Sequence, residues 1–199
     1  MKVRFLLAAS LLATSQLSAG TAIAQTTATT RPAPAPGVIA SHADWPKADP
    51  ADVKDRASII NALSDTISGT VGQPRNWDRL RSLFIPVAGR MIVTRVPKEG
   101  PADITLLSPD DYAARTSAGG NAAFYEHPLA NTVETFGRMT HVYESYELKH
   151  TRQDAAPYGR GINSWELLFD GTRYWIVQVY WDSERPANPI PAKFLQGTN

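Results

Sequence analysis

The sequence predicts an α+β domain, helices first and strands afterwards, with the helices packed on one face of a curved sheet. Two observations carry this. Apolar residues in the first half recur at three- and four-residue steps, the spacing of one helix face. Later segments instead alternate apolar and polar residues around turn signals, the period of a strand.

The elements follow in chain order. Val53, Ala57, Ile60, Leu63 and Ile67 mark an amphipathic helix, which Gly69 and Gly72 should end because glycine tolerates left-handed backbone. Asn76 is an expected N-cap for a second helix, "WDRLRSLF", with Asp78 in its first turn and Pro86 beyond its end. "GRMIVTRV" from Gly89 reads as a strand. "SPDD", from Ser108 to Asp111, is a helix start with a Ser cap, a Pro at the first position and two acids. That third helix should end by Gly119-Gly120. "NTVETFGRMTHVYESYELKH" is then one long strand or two strands meeting at Gly137. "GINSWELLF" and "RYWIVQVYW" are two more, joined at Asp170-Gly171. The sheet is expected to be antiparallel.

The ends differ in composition. Lys2 and Arg4, the apolar "FLLAASLLA" and the small residues Ala22 and Ala24 have the form of an export signal over 1–24, cut after Ala24. Residues 25–50 are a Pro/Thr/Ala linker, in which Trp45 either packs on the domain or lies exposed. The domain spans 51–185, and the Pro-rich tail 186–199 cannot continue a central strand. The expected location is the periplasm or the extracellular space, and no segment reads as a membrane span.

The chain has no cysteine, which excludes disulfides and thiolate chemistry. The 20 Lys and Arg fall to 18 without Lys2 and Arg4, against 19 Asp and Glu. Such balance argues against nucleic acid as a partner. The four His show no metal spacing. "GTVGQ" lacks the strand–loop–helix setting of a phosphate loop, and no cofactor is expected.

Three stretches carry a resemblance: "ISGTVGQPRNWDRLRSLFIPVAGRM" (67–91), "FGRMTHVYESYE" (136–147) and "RGINSWELLFDGTRYWIVQVYWDSE" (160–184). With the order of elements, they resemble the nuclear transport factor 2-like superfamily, within it a bacterial exported group of unsettled function. The superfamily includes the SnoaL-like cyclases, scytalone dehydratase and ketosteroid isomerase. The resemblance implies a cone-shaped, cystatin-like fold, a curved antiparallel sheet with three N-terminal helices on one face. It also implies a largely apolar pocket and a homodimer through the sheet, and it hands over no catalytic residue. Ketosteroid isomerase-like chemistry needs a carboxylate base, a Tyr and a neutral carboxylic acid, and no position lines up with these. Scytalone dehydratase-like chemistry needs His and Asp around a water, and His141 has no Asp partner in the sequence pattern.

His141, in mid-strand, is a general base or a histidine on the solvent face. Arg138 and Glu144 share a strand face; inside the cone either would bind ligand, whereas exposed cross-strand ion pairing is the favoured reading. With Asp170-Gly171 as a two-residue turn, Asn163 falls opposite Gln178, and that amide pair would satisfy itself or bind something polar. Tyr112, on the third helix, would stand near the mouth of the cone. The candidate ligand-binding set is thus Tyr112, Arg138, His141, Asn163 and Gln178.

These residues support a non-catalytic protein binding a small apolar ligand as the leading reading. The rival is a small lyase, isomerase or cyclase using His141 or a buried carboxylate. A protein-interaction module working through the sheet is the third.

Overall fold

A computed structural model describes residues 37 to 196 of the chain. The expected export signal with its cut after Ala24, and the first part of the linker, lie outside the described residues. Four helices, α1 (Pro50–Val53), α2 (Arg56–Ile67), α3 (Trp77–Leu83) and α4 (Pro109–Ala118), accompany six strands. These are β1 (Arg90–Arg95), β2 (Asp103–Leu107), β3 (Tyr125–Phe136), β4 (Met139–Lys149), β5 (Gly159–Phe169) and β6 (Tyr174–Ser183). The strands form a single sheet in the order β2-β1-β6-β5-β4-β3. This is the expected α+β class, with one amendment: β1 and β6 run parallel, so the sheet is mixed.

Local chemistry explains the helix ends. The expected first helix is split, because Asp55 adopts extended backbone and its carboxylate accepts the Ser58 N–H at 2.7 Å. That cap starts α2 afresh and leaves Val53 on the one-turn α1, which Asp49 caps and Pro50 opens. Extended backbone at Ser68, rather than a left-handed glycine, ends α2. Asn76 caps α3 and Ser108 forms a capping box with Asp111, both as expected.

Ile59, Leu80, Leu83 and Phe84 from the helical layer meet Met91, Val142, Trp165, Leu167, Ile176 and Val179 of the sheet in one buried core. Burial of each such side chain stabilises the fold by roughly 1.5–3 kcal/mol. The edge strand β2 was not expected. It is five residues long with Ile104 and Leu106 exposed, and only its pairing with β1 makes it a strand.

Both flanks fold onto the domain. The Trp45 indole N–H lies 3.0 Å from the Arg81 carbonyl and 3.1 Å from that of Phe84, with the Arg81 guanidinium 4.9 Å above its ring. At the other end, Glu184 Oε1 accepts the Ile190 N–H, and the Ser145 hydroxyl donates to the Phe194 carbonyl. The Phe194 ring rests 5.1 Å from that of Tyr143. The Pro-rich tail thus covers part of the sheet face opposite the helices.

The β5–β6 hairpin corrects an expectation. Asp170 organises a four-residue loop rather than a two-residue turn, so Phe169 pairs with Tyr174. Its Oδ1 accepts the Thr172 and Arg173 N–H groups and its Oδ2 the Trp175 indole N–H. A bulge at Val177 then shifts the register by one more residue. Asn163 consequently faces Trp181 and Gln178 faces Glu166, so the expected Asn163–Gln178 pair does not form.

Candidate functional site

The bulge decides which residues of β6 look toward the helices. Without it, Gln178, Tyr180 and Asp182 would follow Ile176 on that face. With it, Val179, Trp181 and Ser183 do, beside Asn163 and Trp165 of β5. Thr140, Val142, Glu144, Tyr146 and Leu148 of β4 share the same face by alternation.

Tyr146, Leu148, Asn163, Trp165, Val179, Trp181 and Ser183 of that face, with Leu63, Ile67, Met91, Tyr112, Phe124 and Glu126, surround a cavity of about 140 Å³. Its wall is mostly apolar and aromatic: Leu63, Ile67, Met91, Phe124, Leu148, Trp165, Val179 and Trp181. The polar groups are Glu126, Asn163, Ser183 and the hydroxyls of Tyr112 and Tyr146.

Glu126 is fixed from both sides. Gly69 and Phe124 exchange two backbone hydrogen bonds, and the Glu126 N–H donates to Ser68 Oγ at 3.1 Å. The buried Arg75 guanidinium holds this junction by donating to the carbonyls of Ile67, Thr70, Gln73 and Ala122. Residue 69 is glycine because a Cβ there would collide with that guanidinium. The Ser64 hydroxyl then donates to Glu126 Oε1 at 2.9 Å. Glu126 also borders an outer groove with Asp52, Asp65, Arg79, His127 and Arg152, which is why it is only half-buried.

Behind the cavity wall lies a second carboxyl. Glu144 is fully buried, and its Oε1 accepts a hydrogen bond from Asn163 Nδ2 at 3.0 Å. Glu126 stands near enough for its charge to raise the pKa of Glu144. Burial raises Glu126 to about 7, against the hydrogen bond from Ser64. Burial, and next the nearby Glu126, raises Glu144 to about 8. Two acids with raised pKa in one apolar site favour holding a proton between them.

Three polar atoms nearby are buried and unpartnered: Glu144 Oε2, Asn131 Oδ1 and the Trp165 Nε1. Asn131 stands directly opposite Glu144 across the β3–β4 ladder. A proton on Glu144 turns that oxygen into a donor, the partner type the Asn131 carbonyl lacks.

The two tyrosines answer to the same acids. Burial, then Glu126, pushes the Tyr112 hydroxyl up to about 12. Burial and then Glu126 also push Tyr146 upward. The Tyr146 hydroxyl lies over Gly161, where any Cβ would collide with it and with the Asp182 carbonyl. Both phenols remain protonated donors at neutral pH.

Of the residues singled out in the sequence, Tyr112 and Asn163 line this cavity and three do not. Arg138 is exposed in the β3–β4 turn, with its guanidinium near the Phe169 carbonyl. His141 lies on the opposite face, 2.9 Å from Ser164 Oγ and edge-on to Tyr143. The bulge carries Gln178 to that face as well. Glu144, favoured as one member of an exposed ion pair, is instead fully buried. Glu126 and Tyr146 were missed. For Tyr146 the signal was the alternation V-x-E-x-Y-x-L over 142–148, polar groups on a face otherwise apolar. For Glu126, next to Pro128 on a bulged edge strand, the sequence offers none.

Among the described residues, no three His, Asp or Glu side chains are grouped so as to hold a metal ion. No helix among them is long and apolar enough to cross a membrane.

Together the layers define an α+β protein with a curved mixed sheet enclosing a cavity against its helices. Structural comparison finds similarity to several solved proteins. One from Nostoc punctiforme, of unknown function with a cystatin-like fold, is similar at 8% identity and a TM-score of 0.48, covering 68% of this chain and 92% of its own. A nuclear transport factor 2-like protein of unknown function from Silicibacter pomeroyi is similar at 16% identity and a TM-score of 0.41, covering 64% and 98%. Another, from Methylobacillus flagellatus, has 11% identity and a TM-score of 0.44, covering 65% and 89%. No family model matches the sequence, and a search of curated proteins finds no match.

Proposed function

We propose that this protein binds a small molecule in the cavity between α2, α4 and the sheet. One observation carries the reading: an apolar, aromatic cavity with Glu126 and Asn163 on its wall and Glu144, bonded to Asn163, behind it. An apolar pocket with a few convergent polar groups is the usual form of a small-ligand site. The volume of about 140 Å³ matches cavities that take a benzene-sized guest. The occupant is therefore a compact molecule, apolar over most of its surface and polar at one end.

A second reading, a small isomerase or lyase, gains support from the two raised carboxyls. A carboxyl that titrates near neutrality, beside phenol donors in a water-poor site, suits proton transfer. Glu126 borders the cavity and would move the proton, and Glu144, held through Asn163, would set its charge state. Export with cleavage after Ala24 is part of the proposal, supported by the basic, apolar and small-residue pattern of the first 24 residues. So is a homodimer through the sheet face, where Ile104, Leu106 and Tyr180 are exposed.

The indole N–H resonances test the binding reading. Titration with small cyclic compounds of each charge type should produce saturable shifts at Trp165 and Trp181 and none at Trp45. If no compound moves Trp165 or Trp181, the binding reading fails. Turnover that disappears in Glu126→Gln would select the enzymatic reading instead. The mass of the exported protein checks the cut, and sedimentation at micromolar concentration checks the dimer.

A further inference from the structure

The chemical class of the occupant can be argued further, on the premise that the cavity is a ligand site. Glu126 borders the cavity, and Glu144, held by Asn163, stands immediately behind it. Among the described residues neither carboxyl pairs with Lys, Arg or His. The one buried guanidinium nearby, Arg75, spends its donors on four backbone carbonyls. Buried acids without a counter-ion are costly when charged, and an unpaired carboxylate is stabilised by whatever cation can reach it.

The rest of the wall favours the same sign of charge. Tyr112, Phe124, Tyr146, Trp165 and Trp181 supply aromatic surface around Glu126, and aromatic faces attract organic cations. An anion would be disfavoured by the charge that remains on the acid pair. A neutral guest would leave the carboxyl pair holding its proton, whereas a cation can replace that proton and release it to solvent.

We propose that the cavity binds a small organic ammonium ion, held by Glu126 and enclosed by the aromatic wall. Cavities of about this volume admit a six-membered ring with few substituents, so the ion is a cyclic or compact amine rather than a long polyamine. The charged nitrogen meets Glu126 beneath α2, and the hydrocarbon part faces Leu63, Val179 and Trp181. Asn163 is a positioning residue, because its amide orients Glu144 behind the wall.

Isothermal titration of the exported protein with cyclohexylamine, cyclohexanol and cyclohexanecarboxylate at neutral pH tests this. The amine should bind at least tenfold tighter than the alcohol, and the carboxylate should show no heat of binding. Glu126→Gln should weaken the amine at least tenfold and leave the alcohol within about threefold. The ranking in the unaltered protein decides the matter even if that variant folds poorly. An alcohol that binds as tightly as the amine overturns the cation assignment and leaves the small-molecule reading standing. If no probe of any charge binds, both fall.

Discussion

Glu144 concentrates the chemistry of this protein in one residue. It has no exposure, accepts one hydrogen bond from Asn163 and leaves its other oxygen unpartnered. An acid whose pKa is higher folded than unfolded stabilises the fold while protonated, and that stability is lost as pH rises. For Glu144 the loss runs from about 4.5 to about 8. Glu144→Gln keeps an oxygen for the Asn163 amide and adds a permanent donor where the carboxylate had none. The variant should therefore exceed the parent in stability at pH 8.5 by on the order of 1–3 kcal/mol and lose that advantage at pH 5. Urea titrations at the two pH values read this directly. A variant less stable than the parent at both would show that the carboxylate is better satisfied than its geometry implies.

At the scale of elements, two glycine and turn positions set the site. Gly161 of β5 leaves room for the Tyr146 hydroxyl of β4 and the Asp182 carbonyl of β6. Gly161→Ala should cost about 2 kcal/mol or more, and adding Tyr146→Phe should recover part of it. Thermal unfolding of both variants checks this; equal loss in the two would place the clash on the backbone alone. Asp170, held down to about 2 by its hydrogen bonds from Trp175, Thr172 and Arg173 despite partial burial, fixes the loop that starts β6. Asp170→Ala should cost about 1–2 kcal/mol, visible as a lower urea midpoint. Because the folded pKa is depressed, the contribution of Asp170 is present above about 4 and lost as pH falls toward 2. An unchanged midpoint would mean that the bulge, and not the loop, sets the register. The hairpin also shows what the sequence could and could not convey. Alternation and turn chemistry reveal two strands and their order. A bulge leaves no mark in composition, yet the one at Val177 moved Gln178 out of the cavity and brought Trp181 and Ser183 into it.

At the scale of the whole molecule, the class of fold was legible because periodicity and capping are local. Asn76, Ser108 and Gly137 mark the ends of elements whatever surrounds them. The parallel β1–β6 pairing and the edge strand β2 were not legible, because both arise from contacts between distant segments. The site was legible only in part. Tyr112 stood out by its place on the third helix, at the expected mouth of the cone, and Asn163 as an amide on a covered strand face, and both reach the cavity. Glu126 arrives through the Gly69–Phe124 bridge and the Arg75 clamp, a tertiary junction that no spacing announces. What results is a cavity of about 140 Å³, walled by rings and ending in Glu126, with Glu144 behind it. A crystal structure of the protein soaked with cyclohexylamine at neutral pH tests that account most directly. The account predicts density in the cavity between Trp181 and Asn163, with the nitrogen about 3 Å from a Glu126 oxygen. A cavity that stays empty, or density confined to the outer groove beside Arg79 and Arg152, would contradict it.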